Sequence, residues 1–188
     1  MGKQIWSNPL VIGAADGPTL TAAAAASCLP TSSVFTLPNN FFDYPGKALR
    51  LWASGRISCA VTTPGTARYD VRLGASAIIA FDTQAIPLNI VAKTNVGWVL
   101  DLLLTCRTVG SGTTATILGQ GLWTSEASIG APAAATEAPG SFVVPYNTAP
   151  AVGAGFDSTS ALKVDLFFTQ TVATGSLTVH QYLLEEIG

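Results

Sequence analysis

The chain has 188 residues, enough for one domain, with a net charge of -2 and only 11% charged residues. Its nine basic residues are scattered from Lys3 to Lys163 and form no cluster that could grip a phosphate backbone. No apolar run approaches the ~20 residues of a membrane-spanning helix. The composition therefore predicts neither a nucleic-acid nor a membrane partner. So few charges cannot cover a monomer surface, which indicates that partners cover part of it.

The first 31 residues are rich in Ala, Gly and Pro and show no hydrophobic alternation. A helix over residues 22–26 is conceivable, but it would be too short to be stable alone. We predict an extended N-terminal arm over residues 1–31, followed by one domain over residues 32–188.

From Ser32 onward apolar residues recur with period two, the pattern of half-buried strands. KALRLWASG places Leu49 and Leu51 opposite Arg50 and Trp52, and RISCAVTT and TARYDVRLG continue the alternation. Gly55 predicts a bend or bulge, and Pro64-Gly65 predicts a turn. We predict that these segments form a meander.

The segment NVGWVLDLLLTCRTV sets a buried face from Trp98 to Cys106 against a second face that is also half apolar, with Val99 and Leu103. GSGTT follows it and lacks the lysine and helix start of a phosphate-binding loop. We predict a hairpin that turns at residues 110–112.

The C-terminal part begins with a long Ala/Pro/Gly-rich loop at about residues 126–160, within which SFVVPY is a candidate strand. The last segments alternate again, with Leu177, Val179 and Leu183 predicted on one face. Many short strands without amphipathic helices predict an all-β fold, an antiparallel two-sheet sandwich of the jelly-roll type.

The residues offer little chemistry. The single histidine, His180, lies in an alternating segment, and no GxSxG elbow or metal-binding motif is present. Asp101 and Asp165 could form an acid pair for glycoside hydrolysis, but ion pairs with Arg107 or Lys163 explain them better. Asp82 and Asp157 are expected to accept backbone hydrogen bonds in turns. We predict no catalytic residue, no cofactor and no metal.

The positions of the cysteines and tryptophans also carry predictions. Cys28, Cys59 and Cys106 are an odd set without CxxC spacing, which predicts buried free thiols. Trp98 lies in phase with leucines and is expected in the core, whereas Trp52 and Trp123 could form a carbohydrate-binding patch.

Four stretches carry a resemblance to a group of small structural proteins of tailed bacteriophages. They are ASGRISCAVTTPGTARYDVRLGAS, NVGWVLDLLLTCRTVGSGTTATILGQGLWTS, GFDSTSALKVDLFFTQ and GSLTVHQYLLEEIG, within residues 47–126 and 155–188. The group resembles jelly-roll decoration or cement proteins in role. The resemblance implies a virion protein, made in the host cytoplasm, that binds the capsid exterior and stabilises the shell by mass action.

On this hypothesis the partners are the major capsid protein and further copies of the chain, as a homotrimer. The half-apolar outward face would pack against neighbouring protomers, and the arm would order on the capsid. The predicted interface residues are Ile5, Trp6, Leu10, Val11, Ile12, Val99, Leu103 and Phe167.

Two alternatives remain at this stage. A tail or receptor-binding protein would use the same sandwich to stack sugars on an exposed tryptophan. A glycoside-acting enzyme would need a deep cleft with two facing acids near Asp101 or Asp165.

Overall fold

The computed structural model describes residues 6–60, 63–128 and 140–187, and it is built almost wholly from strands. Within that part of the chain the only helical element is a 3-10 turn at Thr31–Ser33. The strands are β1 (Ser7–Ile12), β2 (Ala26–Ser27), β3 (Phe35–Leu37), β4 (Ala48–Cys59), β5 (Thr66–Leu73), β6 (Ile78–Asp82), β7 (Ile86–Pro87), β8 (Lys93–Thr108), β9 (Thr116–Ser125), β10 (Gly140–Val144), β11 (Leu162–Gln170) and β12 (Ser176–Ile187).

Two antiparallel sheets form a sandwich, as the sequence predicts. The larger sheet has the order β1-β12-β4-β8-β9-β10, and the smaller has β2-β11-β5-β6, with β3 and β7 pairing at its margins. The early strands β4 and β5 pair with the late strands β12 and β11, one pair in each sheet. The predicted meander is therefore wrong, because β4 and β5 belong to different sheets. This nesting of the two chain ends suits the predicted jelly-roll type, and the β8–β9 hairpin extends the larger sheet beyond β4.

The core lies between the sheets and consists of the residues that alternation assigned to the inner faces. Along β4, β5 and β8 these inner residues are all buried, from Leu49 through Tyr69 to Cys106. Trp98 and Trp123 are both fully buried, and the Tyr69 ring lies between them with centroid distances of 5.1 and 6.2 Å. Burial of two indoles and a phenol at one level stabilises the sandwich, because aromatic side chains remove large apolar areas from water.

The N-terminal arm is extended, but it is part of the sandwich. β1 pairs with β12, and β2 pairs with β11, so the arm runs along one sheet and then joins the other. Between them, the Gly17 amide donates to the Val179 carbonyl at 2.8 Å and the Leu20 amide to the Leu177 carbonyl at 2.9 Å. Cys28 and Leu29 are buried in the core. From β1 to Leu29 the arm is ordered by contacts within the sandwich, contrary to the expectation of ordering on binding. Residues 22–24 form bends rather than a helix, and Ala26 begins β2.

A β-bulge at His180 corrects the predicted facing of the last strand. In the pairing with β4, Val179 lies opposite Gly55 and Gln181 opposite Ser54, so His180 is an extra residue. Leu177 and Val179 point inward, but beyond the bulge Tyr182 and Leu184 are buried, so Leu183 faces outward. The period-two pattern mispredicts the facing of Leu183 because one inserted residue reverses the alternation beyond it.

Gly55 is tied to the same irregularity. A Cβ at this position would lie 2.0 Å from the Thr178 carbonyl oxygen, so the backbone approaches too closely for a side chain. The sequence predicts a bend or bulge at Gly55. The structure keeps β4 continuous and places the bulge opposite Gly55, in the partner strand.

The remaining local predictions concern turns and thiols. GSGTT is the tip of the β8–β9 hairpin, with Gly112 at φ +68, and the candidate strand in SFVVPY is β10. Asp82 and Asp157 accept hydrogen bonds from the backbone amides of Gln84 and Thr159, as expected for turn carboxylates. All three cysteines are free and buried. None of the helices described is long and apolar enough to cross a membrane.

Candidate interaction face

The outer face of the larger sheet carries a transverse row of side chains that crosses all six strands, which we call the apolar stripe. Pairing registers place its members directly opposite one another from strand to strand. From β1 to β10 the row reads Ile12, Leu183, Trp52, Asp101, Leu122 and Val143. Five of its six members are apolar, although alternation would place polar residues on a solvent-facing row.

Two polar rows border the stripe and complete the pattern of an interface. One side carries Glu185, Arg50, Leu103 and Gln120, and the other carries Gln181, Ser54, Val99, Thr124 and Ser141. Leu103 and Val99 widen the apolar area at β8, where both are exposed. An apolar centre with a polar rim is the usual anatomy of a protein-protein contact.

The charge within the stripe is neutralised locally. Arg50 donates from Nε and Nη2 to the two carboxylate oxygens of Asp101 at 3.0 and 2.7 Å. This hydrogen bonding to Asp101 raises the pKa of Arg50 further above its ordinary value. The pair leaves no net charge in the centre of the face, and Asp101 pairs with Arg50 rather than with the predicted Arg107.

The sequence-predicted interface residues divide between different places. Ile12, Val99 and Leu103 come together on the outer face of the larger sheet. Leu10 and Val11 instead pack partly buried against the core, and Trp6 is exposed just before β1. Ile5 lies outside the described residues.

Phe167 is misplaced in the prediction. It lies on the outer face of the smaller sheet, on the opposite side of the sandwich, with the Arg72 guanidinium 4.0 Å from its ring centre. Strand alternation shows that a residue points away from the core, but it does not say from which sheet.

Sequence reasoning missed three members of the stripe, each for a local reason. Leu183 was assigned inward because of the bulge at His180. Leu122 and Val143 are each followed directly by a buried apolar residue, Trp123 and Val144. Alternation alone therefore does not show which residue of each pair faces the core. Pairing of LWTS with SFVV, each with alternating apolar residues, is the signal that could have set their phase.

The outer face of the smaller sheet is built differently, from a lattice of ion pairs. Arg68 forms a two-pronged hydrogen bond with Asp82 and an ion pair with Asp70 at 3.3 Å. Arg72 binds Asp70 at 3.0 Å, and its guanidinium covers Phe167. Asp70 is only 2% exposed, and burial raises its pKa although both arginines oppose the shift.

The candidate acids cannot act as a pair. Asp101 lies on the outer face of the larger sheet and Asp165 on the outer face of the smaller one, with the core between them. Asp165 is held by Ser27 Oγ at 2.7 Å and by Lys163 Nζ at 3.3 Å. Glycoside hydrolysis by these two carboxylates would need them about 5 to 10 Å apart across one cleft.

His180 and the potential metal ligands are the remaining polar candidates. His180 Nδ1 lies 2.9 Å from Asp16 Oδ1, which joins the bulge to the arm. Among the described residues, no group of three or more His, Cys, Asp or Glu side chains could hold a metal ion.

Only Trp52 of the two candidate sugar-binding indoles reaches the surface of the sandwich. Trp123 is fully buried, whereas Trp52 is half-buried in the apolar stripe. Beside it is a shallow depression of about 320 Å³, lined by Ile12, Gly13, Trp52, Gln181, Tyr182 and Leu183. One indole face with a neighbouring amide can stack a sugar ring, so this end of the stripe has a second chemical capability.

Comparison with known proteins adds little to this geometry. No protein-family model and no curated protein matches the chain. Among solved structures, the CBM2 module of the evolved Dit of Lactobacillus casei BL23 phage J-1 aligns over 91% of this chain and 80% of that chain, with 11% identity and a TM-score of 0.31. A likeness at this level carries no functional assignment, so the function has to be argued from the faces of the sandwich.

Proposed function

We propose that this chain is a structural protein of a phage particle that acts by binding, as a decoration protein on the outside of the capsid shell. The observation that carries the proposal is the apolar stripe, a protein-contact surface of interface anatomy on a chain with few charges. The resemblance of residues 47–126 and 155–188 to phage structural proteins supplies the biological setting.

The mechanism needs no chemistry. A protein that binds only the expanded shell stabilises it by the free energy of binding, and several weak contacts add when copies act as a symmetric oligomer. The apolar stripe supplies the contact between copies. The exposed Trp6, just before β1, is the part offered to the shell.

Immunoelectron microscopy of phage particles purified from cells that produce the chain tests this function directly. Antibodies against the purified chain should label capsids of purified particles at many positions. Labelling confined to tails would favour the second candidate below, and particles without any label would overturn the proposal of a virion protein. Particles produced without the chain should lose the label and become less resistant to heat and to low salt.

The second candidate is a tail-associated, carbohydrate-binding role, favoured by Trp52 and the depression beside it. Sugar stacked on Trp52 would change tryptophan fluorescence, whereas the buried Trp98 and Trp123 would not respond. Titration with host cell-wall oligosaccharides should give a saturable change that Trp52→Ala abolishes and Trp6→Ala preserves. A flat titration in the wild-type protein removes this candidate.

A further inference from the structure

We propose that two copies of this chain pair face to face through the apolar stripe, about a two-fold axis that runs parallel to the strands. The inference rests on the stripe being a protein-contact surface, as in the proposed function, and it names the occupant of that surface as a second copy.

The area of the face is sufficient for a stable contact. Six strands about 4.8 Å apart, with their side chains, extend about 30 Å, and three rows about 7 Å apart extend about 20 Å. One copy would therefore bury about 600 Å², and the pair about 1,200 Å², which reaches the lower end of specific interfaces. Sheets also pack readily face to face at about 10 Å.

The order of residues along the stripe selects the axis. An axis parallel to the strands and midway between β4 and β8 places each strand over its counterpart from the other end of the sheet. Leu183 then faces Leu122 of the partner subunit, and Ile12 faces Val143 of the partner subunit. An axis perpendicular to the strands would instead place the two Asp101 carboxylates over each other, which is unfavourable.

The charges of the face stay paired within each copy about the same axis. Arg50 and Asp101 sit on the two strands that flank the axis, in adjacent rows. Rotation brings Arg50 of the partner subunit over Leu103, diagonal to Asp101, and brings Trp52 of the partner subunit over Asp101. Because each Arg50 already neutralises its own Asp101, the face can be covered without leaving an isolated buried charge.

A closed trimer would need two different patches that fit each other, because its interfaces are heterologous. The other outer face is the ion-pair lattice of Arg68, Asp70, Arg72 and Asp82, whose opposite charges are paired within the chain. A single flat patch that crosses the whole sheet fits an isologous pair, so the geometry points to two-fold rather than three-fold assembly.

Sedimentation equilibrium on the full chain tests the pairing. We expect a mass twice the 19.3 kDa of one chain. Val143→Lys should weaken association at least tenfold, since Val143 is 63% exposed at the outer end of the stripe. Ile90→Lys is the matched control, because Ile90 is 64% exposed in the bend before β8, away from the stripe, and it should leave the dimer intact. A trimer, a monomer at high concentration, or equal effects of the two variants would overturn the proposal.

Cysteine cross-linking tests the axis. The double variant Leu183→Cys, Leu122→Cys should be joined into a dimer by a short bifunctional thiol reagent, whereas each single variant should not. A reagent is needed because facing sheets about 10 Å apart are too distant for a direct disulfide. Within one chain the two positions are separated by β4 and β8, about 14 Å, too far for the same short reagent to join them. The native cysteines are buried and do not interfere. Cross-linking of the single variant Leu183→Cys would indicate the perpendicular axis and overturn the axis proposed here.

The two proposals fail in different ways. A dimer that never appears on phage particles would refute the decoration function and leave the pairing intact. A monomer that labels capsids would refute the pairing and leave the decoration function intact.

Discussion

The two outer faces of this sandwich differ in how the chain's few charged residues are arranged. The smaller sheet gathers arginines and aspartates into a lattice that includes Asp70, an almost fully buried carboxylate. The larger sheet leaves Leu122, Val143 and Ile12 exposed in one row and neutralises its only central charge with Arg50. One face pairs its charges within the chain, whereas the other presents an apolar row that a partner can cover.

Because of this difference, we expect the residues that determine folding stability and those that determine binding to lie on different faces. Charged groups that are buried and paired are costly to disturb, because a removed partner leaves an uncompensated charge. Exposed apolar groups contribute little to folding of the single chain, because they are as exposed in the folded as in the unfolded state. Substitutions in the lattice should therefore change unfolding, and substitutions in the stripe should change binding.

The largest effect is expected from the register that creates the stripe. Deleting Leu183 would turn Leu184 outward and Glu185 inward, which should cost at least about 3 kcal/mol of unfolding free energy. Deleting His180, the extra residue of the bulge, restores strict alternation and keeps Tyr182 and Leu184 inward. We expect that deletion to cost less than half as much, as measured by chemical denaturation. Equal losses in the two deletions would show that the bulge does not set the facing of β12.

The same strand shows how far sequence reasoning reaches. Period two identified the buried faces of β4, β5 and β8 because the alternation within these three strands is uninterrupted. It failed at Leu183 because a bulge adds a residue without any change of composition, and at Phe167 because alternation carries no information on which sheet a strand joins. The stripe is a property of pairing between distant strands, so it becomes visible only when the registers of all six are known.

The arm marks a second limit of the same kind. Its Ala, Gly and Pro content correctly indicated an extended segment, but an extended segment can serve as an edge strand if a neighbouring strand offers free backbone groups. β12 and β11 both offer such edges, and they are formed by the last residues of the chain. A deletion of residues 1–31 would remove Cys28 and Leu29 from the core, so loss of shell binding in that variant would not by itself assign the contact to the arm.

An intermediate effect is expected from equivalent arginines on the two faces. Arg72→Ala leaves the buried Asp70 with one arginine and uncovers Phe167, which should cost about 2 kcal/mol. Arg50→Ala breaks an ion pair whose side chains are 46% and 39% exposed, and it should cost less than about 1 kcal/mol. Both should be measured by urea unfolding in a Val143→Lys background, so that association does not contribute. A larger loss for Arg50→Ala would reverse the proposed division between the two faces.

The smallest effect is expected in the pH dependence of the lattice. Burial raises the pKa of Asp70 above its ordinary value, against the influence of Arg72 and Arg68 and with a contribution from Asp82 in the same direction. Between the ordinary and the raised pKa the folded chain binds more protons at this site than the unfolded chain, so stability falls as the pH rises through that window. Relative to Asp70→Asn, the wild-type protein should therefore gain stability on acidification until the pH reaches the ordinary pKa. Asp157, whose pKa is lowered by hydrogen bonds from Thr159, should show the opposite sign against Asp157→Asn. Unfolding free energies measured from pH 7 to pH 3 that run parallel for the wild type and Asp70→Asn would mean that Asp70 is solvated, and that the smaller sheet's outer face is not self-contained.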